Sequence, residues 1–274
     1  MTRLPWSSYL AHPGINWSRL KHMLDSAAHY RYHRDNPDPE TAQKAIGRYV
    51  HAAVLDPEHL ADDFAIWAGD RRGNEYKAFA AAHADKTIMR AADLDDANGM
   101  IEALRAHAGV RALLDGAQCE YTIEWIDPTT ELLCKARPDI VNGPILADLK
   151  TTRSTDIRRF GSDIARFVYH GQMAHYAHGI EVLTGKAPEQ VVLIAVESSA
   201  PYDIGIFEFD PAPLKLGLEL RDGLLFTLKQ CIEPDTWPGR HSDRILLDQS
   251  NLPDWVFGGS PADDITDSHN EEVF

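Results

Sequence analysis

The chain has 274 residues, 44% of them hydrophobic, and a formal net charge of −15; that is enough apolar material for one large domain with appendages and the wrong sign for a surface that coats nucleic acid with positive charge. No stretch reaches the roughly 18 uncharged apolar residues of a membrane helix, and MTRLPWSSYLAHPG lacks a signal peptide's apolar segment, so a soluble, cytoplasmic protein with no membrane partner is expected. Cys119, Cys134 and Cys231 are too few and too scattered for a disulfide framework or a four-cysteine zinc or iron–sulfur site.

The first hundred or so residues are Ala-rich and helical in pattern. Ser18 reads as an N-cap before RLKHMLDSAAHYRYH, and NPDPE separates that helix from TAQKAIGRYVHAAVL. Further helices are predicted near 72–84, 93–107 and 109–115. The period then changes: 119–126 and 131–141 are rich in β-branched and aromatic residues around the turn Asp127-Pro128-Thr129-Thr130, which predicts a hairpin. Asn142-Gly143-Pro144 leads into a third strand, ILADLKTT. One helix of about 25 residues is predicted within 156–185, then strands at 191–199 and 204–210 and a last helix at 212–232. The order predicts an α/β fold, a mixed central sheet flanked by helices. The chain divides into a helical part, 1–115, packed on a core, 116–258, and an acidic tail, 259–274, expected to be disordered.

On the third strand Asp148 and Lys150 are two apart and share a face, while Leu149 points the other way. Asp139 ends the neighbouring strand, and pairing through Asn142-Gly143-Pro144 brings it close to Asp148. Two carboxylates so placed repel unless a cation lies between them. Carboxylate oxygens and a strand carbonyl, such as that of Leu149, suit Mg²⁺ or Mn²⁺, and a lysine beside the metal can orient an attacking water. The competing reading is an exposed Asp148/Lys150 pair with Asp139 capping a turn.

Pro-Asp, eight intervening residues, then Asp-Leu-Lys and an arginine-bearing helix resemble the PD-(D/E)xK nuclease superfamily, whose fold is restriction-endonuclease-like. Gln172 and Tyr176, one helical turn apart, match the Q-x-x-x-Y signature of its RecB-like and phage exonuclease VIII (RecE) branch. Gly47 and His51 match the branch's G-x-x-x-H helix, and Glu120 matches a glutamate of its first strand. The likeness runs from about residue 12 to 257.

The resemblance implies a Mg²⁺- or Mn²⁺-dependent exonuclease that degrades one strand of linear double-stranded DNA, 5′ to 3′, and leaves 3′ overhangs for recombination. His51, Asp139, Asp148 and the Leu149 carbonyl would hold metal. Lys150 would position water, Gln172 and Tyr176 would orient Lys150 or the phosphate, and Glu120 would hold Lys150 or an arginine. Arg153, Arg158, Arg159 and Arg166 are candidates for phosphate contacts. A single-strand annealing partner, a homo-oligomeric ring and a bacterial host cytoplasm are implied by the resemblance alone.

No Walker A motif occurs, so no nucleotide cofactor is expected. The rivals are an endonuclease of the same fold in restriction or repair, and a non-catalytic DNA-end or recombination-partner module. A zinc hydrolase built on His170, His175 and His178 is weaker, because they lack an H-E-x-x-H core.

Overall fold

The structure is a computed structural model that describes residues 4–36, 39 and 41–257. The acidic tail expected at 259–274 lies outside the described residues. In chain order the elements are α1 (Trp6–Ala11), α2 (Trp17–Leu20), α3 (Ala27–Asp35), α4 (Ala42–Leu55), α5 (Leu60–Asp63), β1 (Phe64–Trp67), α6 (Asn74–Ala82), β2 (Thr87–Arg90), α7 (Leu94–Ala106), α8 (Ala108–Leu114), β3 (Gln118–Cys119), β4 (Ile123–Ile126), β5 (Leu133–Ala136), β6 (Ile140–Asn142), β7 (Ile145–Thr152), α9 (Ile157–Arg166), α10 (Tyr169–Thr184), β8 (Gln190–Glu197), β9 (Ile204–Glu208) and α11 (Pro211–Ile232).

Five strands form the central sheet in the order β3-β6-β7-β8-β9. β7 and β8 run parallel, and the other pairings are antiparallel. The inner pair is covered on both faces, which is why Val191 to Val196 are all buried and apolar. Leu146, Leu193 and Ala195 face one cluster with Trp17, Trp125, Met173 and Leu225, so α10, α11 and the β4–β5 ribbon cover that side. Ala147, Leu149, Val192 and Ile194 face Val50, Met100 and Leu104 of α4 and α7 on the other. The helical part is thus half of the sheet's covering.

The period of two along β7 fixes the site. Asp148 and Lys150 are in phase with Leu146 and face α10, while Leu149 enters the α4 side. α10 and α11 cross closely because Gly217 has no side chain: a Cβ there would lie 2.4 Å from the carbonyl oxygen of His170.

Several elements differ from the sequence reading. Asn16, not Ser18, caps the first of three short segments, its side chain accepting from Arg19 N, and Ser26 caps α3. β1 and β2 are a short parallel pair inside the part read as helical. The long hairpin is interrupted on both arms: β4 pairs with β5, whereas β3 pairs with β6 in the main sheet. The single helix after β7 is two, broken at Val168, whose φ of 56° lies in the left-handed region that a β-branched residue rarely enters.

Candidate active site

The two interruptions of the hairpin lie side by side and both carry acids. Glu120 leaves β3 with φ 58°, and its amide donates to the carbonyl of Asp139, the residue before β6. The β6–β7 register, Ile140 opposite Ala147, continues to place Asp139 beside Asp148. Beyond that pairing the free edge of β7 is used by Asp139, whose Oδ2 accepts the Leu149 amide at 2.7 Å. In a strand a residue's N–H and C=O point to the same edge, so the Leu149 carbonyl is directed to this side too.

α4 supplies the imidazole. His51 Nδ1 lies 3.3 Å from Asp139 Oδ2, and one donor atom each from His51, Glu120 and Asp139 falls within 4.8 Å of the others. An imidazole nitrogen and two carboxylates are a donor set for a divalent cation. Asp148 is not one of these three. Its Oδ2 pairs with Lys150 Nζ at 2.5 Å, so the expected Asp139/Asp148 pair is divided, one acid meeting histidine and the other lysine.

Lys150 is fixed from several sides. Its amine donates to Gln172 Oε1 at 3.0 Å and lies 4.7 Å from the Tyr169 ring centroid. The Gln172 amide nitrogen donates to Tyr176 Oη at 2.9 Å and reaches Asp148 Oδ1 at 3.4 Å. One glutamine on α10 therefore ties the acid and the ammonium of β7 together.

The titration directions show the strain of this crowding. Burial, then the Asp139 charge, pushes Glu120 up to about 7 despite its ion pair with Arg137. Burial and Asp139 push Asp148 up to about 6 against the pull of Lys150. Burial works against charge on Asp139 as well, but His51, Lys150 and the Leu149 amide outweigh it and hold the carboxyl below its usual range. His51 is raised: burial opposes its charge, and Asp139 and Glu120 overcome that opposition. Excess buried carboxylate is what a cation would relieve.

These groups line one cavity of about 250 Å³. Trp6 and Tyr9 of α1 and Arg48 and Arg137 also line it, and sequence reasoning singled out none of the four. The only signal was Arg137 standing directly before the Pro-Asp step. The α1 wall is tethered by Lys135, a buried lysine that donates to the carbonyls of Tyr9 and His12, and by Arg137, which donates to that of Leu4. Arg153, Arg158, Arg159 and Arg166 are exposed and do not line the cavity; Arg166 lies over the Phe167 ring. His175 is sealed between α10 and β5 with Nε2 on the Lys135 carbonyl, His178 lies 3.7 Å from Asp127, and neither joins a metal-binding group among the described residues. No described helix is long and apolar enough to cross a membrane.

Among curated proteins nothing matches the chain. Among solved structures it is similar to a "Putative exonuclease" from Eubacterium rectale, with a TM-score of 0.59 and 14% identity over 90% of this chain and 96% of that one. A phage related exonuclease from Haemophilus somnus 129PT aligns with a TM-score of 0.38 and 12% identity, over 84% of this chain and 100% of that one. The first likeness supports the restriction-endonuclease-like sheet. A family model described as a PDDEXK-like domain of unknown function (DUF3799) matches residues 16–246, and the chain therefore belongs to that family, within the PD-(D/E)xK nuclease superfamily.

Proposed function

We propose that the chain is a divalent-metal-dependent deoxyribonuclease of the exonuclease VIII type. It hydrolyses linear double-stranded DNA from the 5′ end and leaves 3′ overhangs for a single-strand annealing partner. The observation that carries the reading is the convergence of His51, Glu120 and Asp139 on one point beside the ion pair of Asp148 and Lys150.

His51, Glu120, Asp139, Asp148 and the Leu149 carbonyl would hold Mg²⁺ or Mn²⁺. When bound, such an ion polarises a phosphoryl oxygen and makes water a better nucleophile at neutral pH. Lys150 orients the water and offers its N–H groups to the charge that grows on the phosphoryl oxygens. Gln172 keeps that amine aimed into the cavity, and Tyr176 keeps Gln172 in place. The cavity of about 250 Å³ has room to seat the scissile phosphodiester. Arg153, Arg158, Arg159 and Arg166 would meet phosphates outside the cavity, and a homo-oligomeric ring would keep the DNA engaged.

The test is hydrolysis of 5′-labelled linear duplex and of the same sequence as a closed circle, each with and without Mg²⁺. Loss of the linear form alone, and only with metal, is expected. Cutting of the circle at a similar rate would replace this reading with an endonuclease.

A further inference from the structure

The start of α4 opens on a second, larger cavity, of about 560 Å³, lined also by β2 and by Tyr76 of α6. Among the described residues its lining carries Arg71, Lys86 and Arg90 against the carboxylate Asp93, three cations to one acid, in a chain whose net charge is −15. Arg90 and Asp93 satisfy each other at 2.5 Å. The other two cations rest on neutral groups. Arg71 donates to the Ile88 carbonyl at 2.6 Å, and Lys86 Nζ donates to the Ala61 carbonyl at 2.7 Å. Arg71 shares the Asp93 charge with Arg90, and the Lys86 bond is to a neutral carbonyl, so the described lining keeps an excess of positive charge held in place, the arrangement that favours an anion.

The walls of the two cavities touch. Thr87 lines it and accepts a hydrogen bond from Arg48 Nη2 at 2.5 Å, while Arg48 itself lines the cavity that holds His51. From Ala42, on the second cavity's wall, to His51 is nine helical residues, or about 14 Å of α4. A strand in helical form places one phosphate every ~3.4 Å of axis, so about four nucleotides span the gap.

We propose that this second cavity binds the phosphodiester backbone of the nucleic-acid strand whose end lies in the first, with Arg71 and Lys86 as its phosphate contacts. The proposal rests on the nuclease reading for the identity of the ligand. Among the described residues Tyr76 is the one aromatic side chain of the lining, so the proposed contact is with the backbone and carries no base preference.

The experiment is fluorescence anisotropy of a 20-nucleotide single strand against NaCl concentration, in EDTA so that no turnover occurs. The wild type is compared with Arg71→Glu/Lys86→Glu and with Arg71→Gln/Lys86→Gln, which keeps the test informative should charge reversal unfold the chain. A control of equal charge change, Lys215→Glu/Lys229→Glu, lies on α11 across the sheet. Affinity is expected to fall by roughly tenfold or more in both cavity variants, and the slope of log affinity against log salt to shrink by about 1.4, at ~0.7 for each phosphate that is no longer neutralised. A cavity variant that binds as wild type does, or a control pair that weakens binding as much, overturns the proposal. A protein that binds as expected here yet hydrolyses nothing with Mg²⁺ would overturn the nuclease reading and leave the strand-binding cavity standing.

Discussion

His51 Nδ1 lies 3.3 Å from Asp139 Oδ2, joining α4 to the start of β6 across 88 positions of sequence. The same oxygen accepts the Leu149 amide, so a helix and two strands meet at one carboxylate. In the metal-free protein Glu120, lifted to about 7, keeps its proton through part of the neutral range, and the Asp139 and Glu120 charges favour the protonated form of His51. A cation needs them deprotonated. Mn²⁺ binding is therefore expected to release protons between about pH 6 and 8, and to tighten as pH rises through that window. Calorimetric titration in two buffers of different ionisation enthalpy measures the release, and His51→Ala should both reduce it and shrink the gain in Tm from Mn²⁺.

Gln172 touches Asp148, Lys150 and Tyr176. Removing it leaves the ammonium free to turn from the reacting phosphate while His51, Glu120 and Asp139 keep their mutual contacts. Gln172→Ala should lower kcat by roughly 10- to 100-fold with KM little changed. A variant that changes KM alone would place Gln172 in binding instead.

Burial, then the nearby Arg221 charge, holds the His175 imidazole down to about 3, against an ordinary value of 6.5. The unfolded chain then binds the extra proton first, so this histidine's contribution to stability is complete above about pH 6.5 and drains away as pH falls toward 3. Urea unfolding between pH 4 and pH 7 should show a loss at the acid end that His175→Gln flattens. An equal slope in the variant would assign the acid loss to other groups.

Gly217 allows α11 to lie against the His170 carbonyl, where a methyl group would arrive at 2.4 Å. The obstacle is backbone and cannot rotate away. Gly217→Ala should cost on the order of 1–3 kcal/mol in urea unfolding and lower activity as well, since α10 carries Gln172 and Tyr176. Unchanged stability would mean that the two helices separate freely.

The residues of the site that were legible in sequence sit in regular elements with short motifs: His51 within α4, Asp148 and Lys150 on β7, Gln172 and Tyr176 one turn apart on α10. Glu120 was legible as a match but not as a partner of His51 and Asp139, because its place depends on a left-handed residue between two short strands that pair in different sheets. The α1 wall was hidden for another reason: Lys135 reaches more than 120 positions back to hold it, and nothing local in MTRLPWSSYLAHPG points to that contact. Strands β1 and β2 escaped notice since each has four residues within Ala-rich sequence and is sustained by pairing with the other. The break at Val168 carries no glycine, asparagine or proline to announce it.

The central claim is that this cavity hydrolyses phosphodiester bonds with a divalent cation held through Asp139. The most direct measurement is the single-turnover rate on 5′-labelled linear duplex against Mg²⁺ concentration for the wild type and Asp139→Asn, which keeps the shape of the side chain and removes its charge. The account expects a rate that saturates with Mg²⁺ in the wild type and falls by at least about 10³-fold in the variant, which keeps the wild-type circular dichroism spectrum but melts lower without metal, because His51, Lys150 and the Leu149 amide favour the Asp139 charge in the folded protein. Hydrolysis by Asp139→Asn at a rate near that of the wild type, or no Mg²⁺-dependent hydrolysis by the wild type, would contradict it.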